Sequence, residues 1–328
     1  MAIGSGLGAQ IGIAAESTYG TFVAPTRFPE FTKESLVLKK TTAQSAGIAA
    51  NRLLALSSRR VVTRREATGS IDLEIANKGM GLLVQALMGT SVTPVQQGAT
   101  AAYLQTHTLA DTAGKSLTIQ KGVPLTTGTV TDKSFLGCKI TSGEFSCGVG
   151  EMLTGSFEFD AKDCDESQTL AAASYVNASP FHFGQMALKV GSFGAEAALD
   201  GIRKVSCKIE RPQDTERFYA NQSALKKEPI SNDLVKISGS LETDYVATTL
   251  DDLHTSDGAT SLVWEFVGPL IASTFFETFR ITLPAVKLDE GPPAVDGYGV
   301  VKPTFNFTGL YDGTNLPKIE LISVDTAL

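Results

Sequence analysis

The chain reads as a mainly β protein built twice on one plan, each unit with a flanking helix, and three observations predict it. Apolar and polar residues alternate with period two along several short segments, which marks strands with one buried face. Only one segment shows strong helical spacing. The order of these segments in the first half then returns in the second.

Along the chain, the first clear strand is Thr68-Gly69-Ser70-Ile71-Asp72-Leu73-Glu74-Ile75, with Ile71, Leu73 and Ile75 on one face and Asp72 and Glu74 on the other. Asn77 is placed to cap a helix running through Met80, Leu83, Val84 and Leu87, which share a face, and Gly89 closes it. Alternation resumes in Lys115-Ser116-Leu117-Thr118-Ile119-Gln120. A paired element follows: Phe135 to Cys147 runs out, turns at Gly148-Val149-Gly150-Glu151, and returns through Phe157 and Phe159.

The second half repeats this grammar. Ala50-Asn51 followed by Thr68-Gly69-Ser70-Ile71-Asp72 recurs, at one constant offset, as Ala220-Asn221 followed by Ser238-Gly239-Ser240-Leu241-Glu242. A weaker copy of the helix stands at Thr248 to Leu253, and Ser261 to Phe266 replaces the strand at 115–120. The hairpin returns as Phe279 to Leu288, a Gly/Pro-rich loop from Asp289 to Gly297, and Phe305-Asn306-Phe307. Both outgoing strands lose alternation, near Ser142-Gly143 and Pro284-Ala285, which predicts a bulge or kink in each. The expected organisation is an extended N-terminal arm (1–25), a first domain (26–165), an Ala/Ser/Asn-rich linker (166–179) and a second domain (180–328).

Composition excludes several function classes. With 328 residues, 42% of them hydrophobic and 19% charged, the chain can bury two cores and is not intrinsically disordered. No apolar run is long enough for a membrane helix, and the first residues lack a basic start and apolar core, so a cytoplasmic product with no membrane partner is expected. A net charge of −7 argues against a basic nucleic-acid face, though not against a weakly acidic wall that DNA slides past.

No motif calls for chemistry, so neither enzyme, cofactor nor metal is expected. Cys138, Cys147, Cys164 and Cys207 form no Cys-x-x-Cys pair and have no histidine at ligand spacing, so they are expected as free thiols. His107, His182 and His254 are isolated and expected to face solvent or cap turns. Gly6-Leu7-Gly8-Ala9-Gln10-Ile11-Gly12 follows no strand and opens no helix, so it lacks the context of a dinucleotide loop.

Two patterns bear on assembly. The polar faces of the clearest strands carry Asp72, Glu74, Glu158, Asp160, Glu242 and Asp244, which suit either a solvated sheet face or the wall of a lumen. The run Arg59-Arg60-Val61-Val62-Thr63-Arg64-Arg65 suits an inter-subunit contact, an edge strand guarded by charge, or a nucleic-acid patch.

The opening Gly4 to Phe28, including Glu16, Tyr19, Gly20, Phe22, Pro25 and Arg27, resembles the N-terminal arm of tail tube proteins from long-tailed phages, especially those of actinobacteria. The resemblance continues through Glu34-Ser35-Leu36, the Arg59-Arg60 stretch, Lys78-Gly79, Ala102-Tyr103 to His107, Gly114-Lys115 and Leu136-Gly137-Cys138-Lys139. It is close over most of residues 4–165 and holds in outline beyond. It implies tandem β-sandwich domains that close into a β-barrel tube on oligomerisation, with a tape measure protein and a tail terminator as partners and DNA passing through the lumen without specific binding. Tyr19, Phe22, Arg59, Arg60, Arg64 and Arg65 become candidate inter-subunit residues, and the six carboxylates candidate lumen residues. Two units per chain imply three chains per ring; if the second half is only decorative, six are needed. Other ring-forming virion proteins (a terminator, baseplate or distal tail ring) and the tube of a contractile injection machine are the alternatives.

Overall fold

The computed structural model describes residues 3–246, 248–291, 293–295 and 297–328. The strands of the first half are β1 (Gln10–Ala15), β2 (Lys33–Glu34), β3 (Val37–Gln44), β4 (Arg60–Glu74), β5 (Val95–Gln96), β6 (Tyr103–Thr108), β7 (Leu117–Pro124), β8 (Val130–Gly148), β9 (Thr154–Ala161) and β10 (Asp163–Asp165). Those of the second are β11 (Met186–Gly191), β12 (Ala197–Ala198), β13 (Ile202–Glu210), β14 (Gln213–Asp214), β15 (Ile230–Ser231), β16 (Lys236–Thr243), β17 (Thr260–Ala272), β18 (Phe275–Glu290), β19 (Thr304–Leu310) and β20 (Lys318–Ser323). Helix α1 spans Gly81–Met88 and α2 spans Thr249–Thr255.

The strand pairings of the first half recur in the second. The antiparallel path β1–β7–β8–β9–β4–β3 matches β11–β17–β18–β19–β16–β13 pair for pair. β10 lies beside the first part of β8 just as β20 lies beside the first part of β18. The halves then join edge to edge: β8 pairs with β13 from Ser142↔Glu210 to Gly148↔Lys204. One continuous sheet, β3–β4–β9–β8–β13–β16–β19–β18, results. A second link runs β18–β20–β6.

The two long strands serve both layers of the fold. The first parts of β8 and β18 pair with β7 and β17 in the outer layer, and their last parts cross into the continuous sheet. Against β9 the register breaks between Ile140 and Ser142, and against β19 between Leu288 and Glu290. The extra residues are therefore Thr141 and Asp289. The kink expected near Pro284-Ala285 is present as well, where the ladder against β17 breaks register between Leu283 and Val286.

Between the layers lies one hydrophobic core shared by both halves. Phe145 lies 5.8 Å from Phe157 in its own half and 5.4 Å from Phe279 in the other, and Phe181, Phe266 and Trp264 extend the cluster. Such offset aromatic contacts add specific geometry to a large apolar burial. Helix α1 is buried over most of its length, against β8, β6 and β20, and Gly89 ends it in the left-handed conformation. Asn77 does not cap it. Its side-chain oxygen accepts from the Ser179 amide and its nitrogen donates to Glu277, tying the linker to both halves.

Two further expectations meet a different outcome. Within the segment expected as an extended arm, Gln10–Ala15 is a strand paired with β7, with Ile11 and Ile13 buried. Its period-two signal is short and flanked by glycines, which hides it in the sequence; Met1 and Ala2 lie outside the described residues. His107 is fully buried on β6, 3.3 Å from Gln105; β6 is paired with β20 and packs against helix α1. Residues 166–179 carry no strand or helix but are held down along the first half, with Gln10 donating to the Ala171 carbonyl and Lys78 to that of Asn177.

The repeated Gly in Thr68-Gly69-Ser70 and Ser238-Gly239-Ser240 has a packing cause. A β-carbon on Gly239 would lie 2.1 Å from the Ser206 carbonyl oxygen and 2.3 Å from the Phe307 ring; one on Gly69 would lie 2.6 Å from the Leu36 backbone. Gly239→Ala is expected to destabilise the fold by about 1–3 kcal/mol through overpacking, read as a lower Tm in calorimetry.

Burial pushes the His107 pKa down to about 4, so the neutral ring is the form the fold accepts. Its contribution is complete above an unfolded pKa near ~6.5 and is lost as pH falls toward the folded value, roughly 3 kcal/mol in all. Wild type and His107→Gln should therefore differ in urea midpoint less at pH 4 than at pH 7.

Candidate assembly surfaces

Alternation along the continuous sheet sends Ile71, Phe157, Phe145, Val205, Leu241 and Phe305 into the core and leaves a second face without a covering layer. That face is built from small hydroxyls and charges. Ser70 of β4 hydrogen-bonds Ser35 (3.0 Å), and Ser240 of β16 makes the same bond to Ser206 (2.8 Å). Short hydroxyls bonded to one another satisfy the polar face locally, with no long side chains.

All six candidate carboxylates lie on or just beyond strands of this sheet, on the face away from the core. Asp72 accepts from Ser156 (2.6 Å), Glu158 accepts from Ser142 (2.8 Å), and Glu74 is exposed. Asp244 lies 3.4 Å and Glu242 3.8 Å from the Arg203 guanidinium. Asp160 is different: it is 5% exposed and bonded to Lys226 at 2.5 Å. The face is also not uniformly acidic, since Lys204 and Lys208 of β13 stand in its middle, Lys208 beside Glu210 at 2.7 Å.

Lys226 belongs to the segment 211–235, which leaves β13 and folds back over one end of the first half. Its ammonium is fully buried between Asp160 and Glu66 (3.0 Å). Beside it Glu228 accepts from Lys139 (2.7 Å), itself fully buried. Gln213 donates to the Ile140 carbonyl (3.0 Å), and Arg211 to that of Ala110. Burial pushes the Asp160 carboxyl up to about 6, against the pull of Lys226. Burial likewise pushes the Lys139 pKa down, opposed by Glu228.

The arginine run divides between two tasks. Arg64 reaches Glu216 of this segment (2.7 Å) and stacks over Phe218, while Arg65 bonds Asp163 (2.9 Å). Arg59 and Arg60 are exposed on a hairpin that β3 and β4 extend past the sheet. Tyr19 and Phe22 are half-buried; the Tyr19 ring packs on Gly137 with the Lys162 ammonium 5.5 Å above it.

Sequence reasoning missed the tip of that hairpin. Ile48, Leu53 and Leu54 are 102%, 97% and 83% exposed, too many apolar side chains in one place for an unpartnered surface. Two apolar residues beside Arg52 in a loop otherwise rich in Ala and Ser were the available signal. At the other end of β4 is a cavity of about 190 Å³, lined by Phe28, Phe31, Met80, Val176 and Pro180 with Glu74 and Lys78 at its mouth. Among the described residues no group of three His, Cys, Asp or Glu side chains is placed to hold a metal ion, and no helix is long and apolar enough to cross a membrane.

Lys226→Ala should strand Asp160 as a buried charge and cost about 3–5 kcal/mol. Pulse proteolysis reads this as cleavage of segment 211–235 at a lower urea concentration than in wild type.

A family model described as phage tail tube protein matches residues 6–309. No curated protein matches the chain.

Proposed function

The chain belongs to the phage tail tube protein family, a structural component of the virion tail, and from that premise we propose how it builds the tube. The observation that carries the proposal is the β8–β13 ladder. It sets two matching halves side by side in one sheet, as neighbouring units stand in a barrel wall. Each chain then supplies two of six positions, and three chains complete a ring. The domains run 26–165, joined by β1 through its pairing with β7, and 180–328, with 166–179 as the linker.

The hydroxyl-rich face of the sheet is the lumen wall. Asp72, Glu74, Glu158, Glu242 and Asp244 give it a negative cast that Arg203, Lys204 and Lys208 temper, so a DNA backbone slides past rather than sticking. Asp160 works beneath segment 211–235 instead. Rings stack head to tail through the exposed hairpin, whose Ile48, Leu53 and Leu54 need burial and whose Arg59 and Arg60 stand beside them. Arg64, Arg65 and Tyr19 act within the chain. The protein catalyses nothing; it assembles in the host cytoplasm, around a tape measure protein and up to a terminator.

Purified protein imaged by negative-stain electron microscopy should form hollow filaments of stacked rings with threefold symmetry and mass photometry of three chains per ring. Rings of six chains would overturn the stoichiometry. Closed rings that never stack would overturn the tube in favour of a terminator or baseplate ring.

A further inference from the structure

Resting on that ring reading, we propose that chains join through residues 33–39 of one and 290–295 of the next, in the same register that already joins the two halves within a chain.

The internal joint supplies the template, and two independent alignments transfer it. On one side, β13 is the counterpart of β2 and β3. Both β2 and β3 pair with β4 in a single register, as β13 pairs with β16, and the Ser206–Ser240 bond on β16 is the Ser35–Ser70 bond on β4. On the other side, the last part of β8 is the counterpart of the last part of β18. Phe157 and Phe159 match Phe305 and Phe307 against Ile71/Gly69 and Leu241/Gly239, and the bulged residues Thr141 and Asp289 fall at the same step.

Each alignment ends on an edge with no strand partner in the chain; on the first, the Leu36 amide donates to Glu34 and its carbonyl accepts from Lys121, side-chain contacts that a neighbouring strand would replace. Residues 33–39 pair with β4 alone, and Asp289–Glu290 follow a stretch of β18 that pairs only with β19 on this side. Residues 291–303 carry no strand among the described residues, although their counterparts 143–148 are strand. What differs is the partner: 143–148 have β13 beside them, and the described residues of 291–295 pair with no strand.

Laying the free edges in the template register sets Lys39 opposite Glu290, Ser35 opposite Ala294 and Glu34 opposite Val295. Lys33, Lys39 and Lys40 are exposed on one edge, and Asp289 and Glu290 are exposed on the other. The template joint has the same chemistry, with Lys208 opposite Glu144. Opposite charges across a strand pair favour that pairing over a slipped one. The second copy of this chain is therefore the occupant of both edges.

One difference sets the strength of the new joint. Pro292 and Pro293 stand where the template has Glu144 and Phe145, and a proline offers the ladder no N–H. The joint between chains makes fewer backbone hydrogen bonds than the joint within one. The ring therefore closes through its weaker seams, which form last.

Cysteine pairs test the register. S146C/S206C should close a disulfide within the monomer and so calibrates the template geometry and the oxidant; the four native cysteines are buried. Under the same oxidant S35C/A294C should link chains, giving covalent trimers and nothing larger on non-reducing gels. Filaments that form but show no S35C–A294C link overturn this joint and leave the tube reading standing. Covalent trimers without filaments support the joint and count against the tube. K39E should abolish trimers and K39E/E290K should restore them; a double variant no better than K39E also overturns the register.

Discussion

Everything in this molecule depends on the ladder between β8 and β13. Without it the halves would be joined in sheet only through β20 and β6, and each would expose a raw sheet edge. With it, backbone donors and acceptors of both edges are satisfied by each other, and the two inner faces become one surface. The ladder also fixes the core, since it brings the Phe145 ring onto Phe279 across the seam. A slip of one residue would turn Val205, Cys207 and Ile209 out of that core and Lys204 and Lys208 into it, which is why the register is so strongly specified.

The same connection is put to two uses in the two halves. Between β3 and β4 the chain extends a bare hairpin, with its apolar tip in solvent. Between β13 and β16 the corresponding stretch, 211–235, instead lies down on the neighbouring half. It does so by burying two lysines, Lys139 and Lys226, at carboxylates from the other element. Ion pairs of this kind add little net stability relative to apolar packing, because desolvation offsets the attraction. They are strict about geometry, however. A buried ammonium accepts few alternative positions, so the pairs lock the segment to one place on the first half. Arg64 on Phe218 continues the lock at the surface.

Much of the fold was legible in the sequence because it rests on local pattern. Period-two alternation located β4, β7, β9 and β16, and Gly89 announced the end of α1. The recurrence of Thr/Ser-Gly-Ser was legible as a repeat, and its cause proved to be a close approach of backbone and ring. What stayed hidden is decided by distant partners. Asn77 looks like a cap until Ser179 and Glu277 arrive beside it. His107 looks isolated until β20 pairs alongside β6 and α1 packs against both. Among the six carboxylates nothing local separates Asp160 from Glu158, its neighbour but one; only Lys226, far along the chain, takes Asp160 out of solvent. The hairpin tip had no periodicity to read.

Holding two tube units in one chain changes how a ring can form. In the proposed ring of three chains, three of the six seams exist before any chains meet, formed in one folding event at the high effective concentration a short linker provides. The seams proposed between chains would bring lysines on one edge to acidic residues and two prolines on the other. Charge and proline are common guards against indiscriminate edge pairing; here the two edges bear opposite charges, so like edges repel and only unlike ones attract. The arrangement disfavours a chain pairing with another head to head and permits head to tail. Covalent duplication supplies strong seams where no choice of partner is needed, and weaker, selective ones where it is.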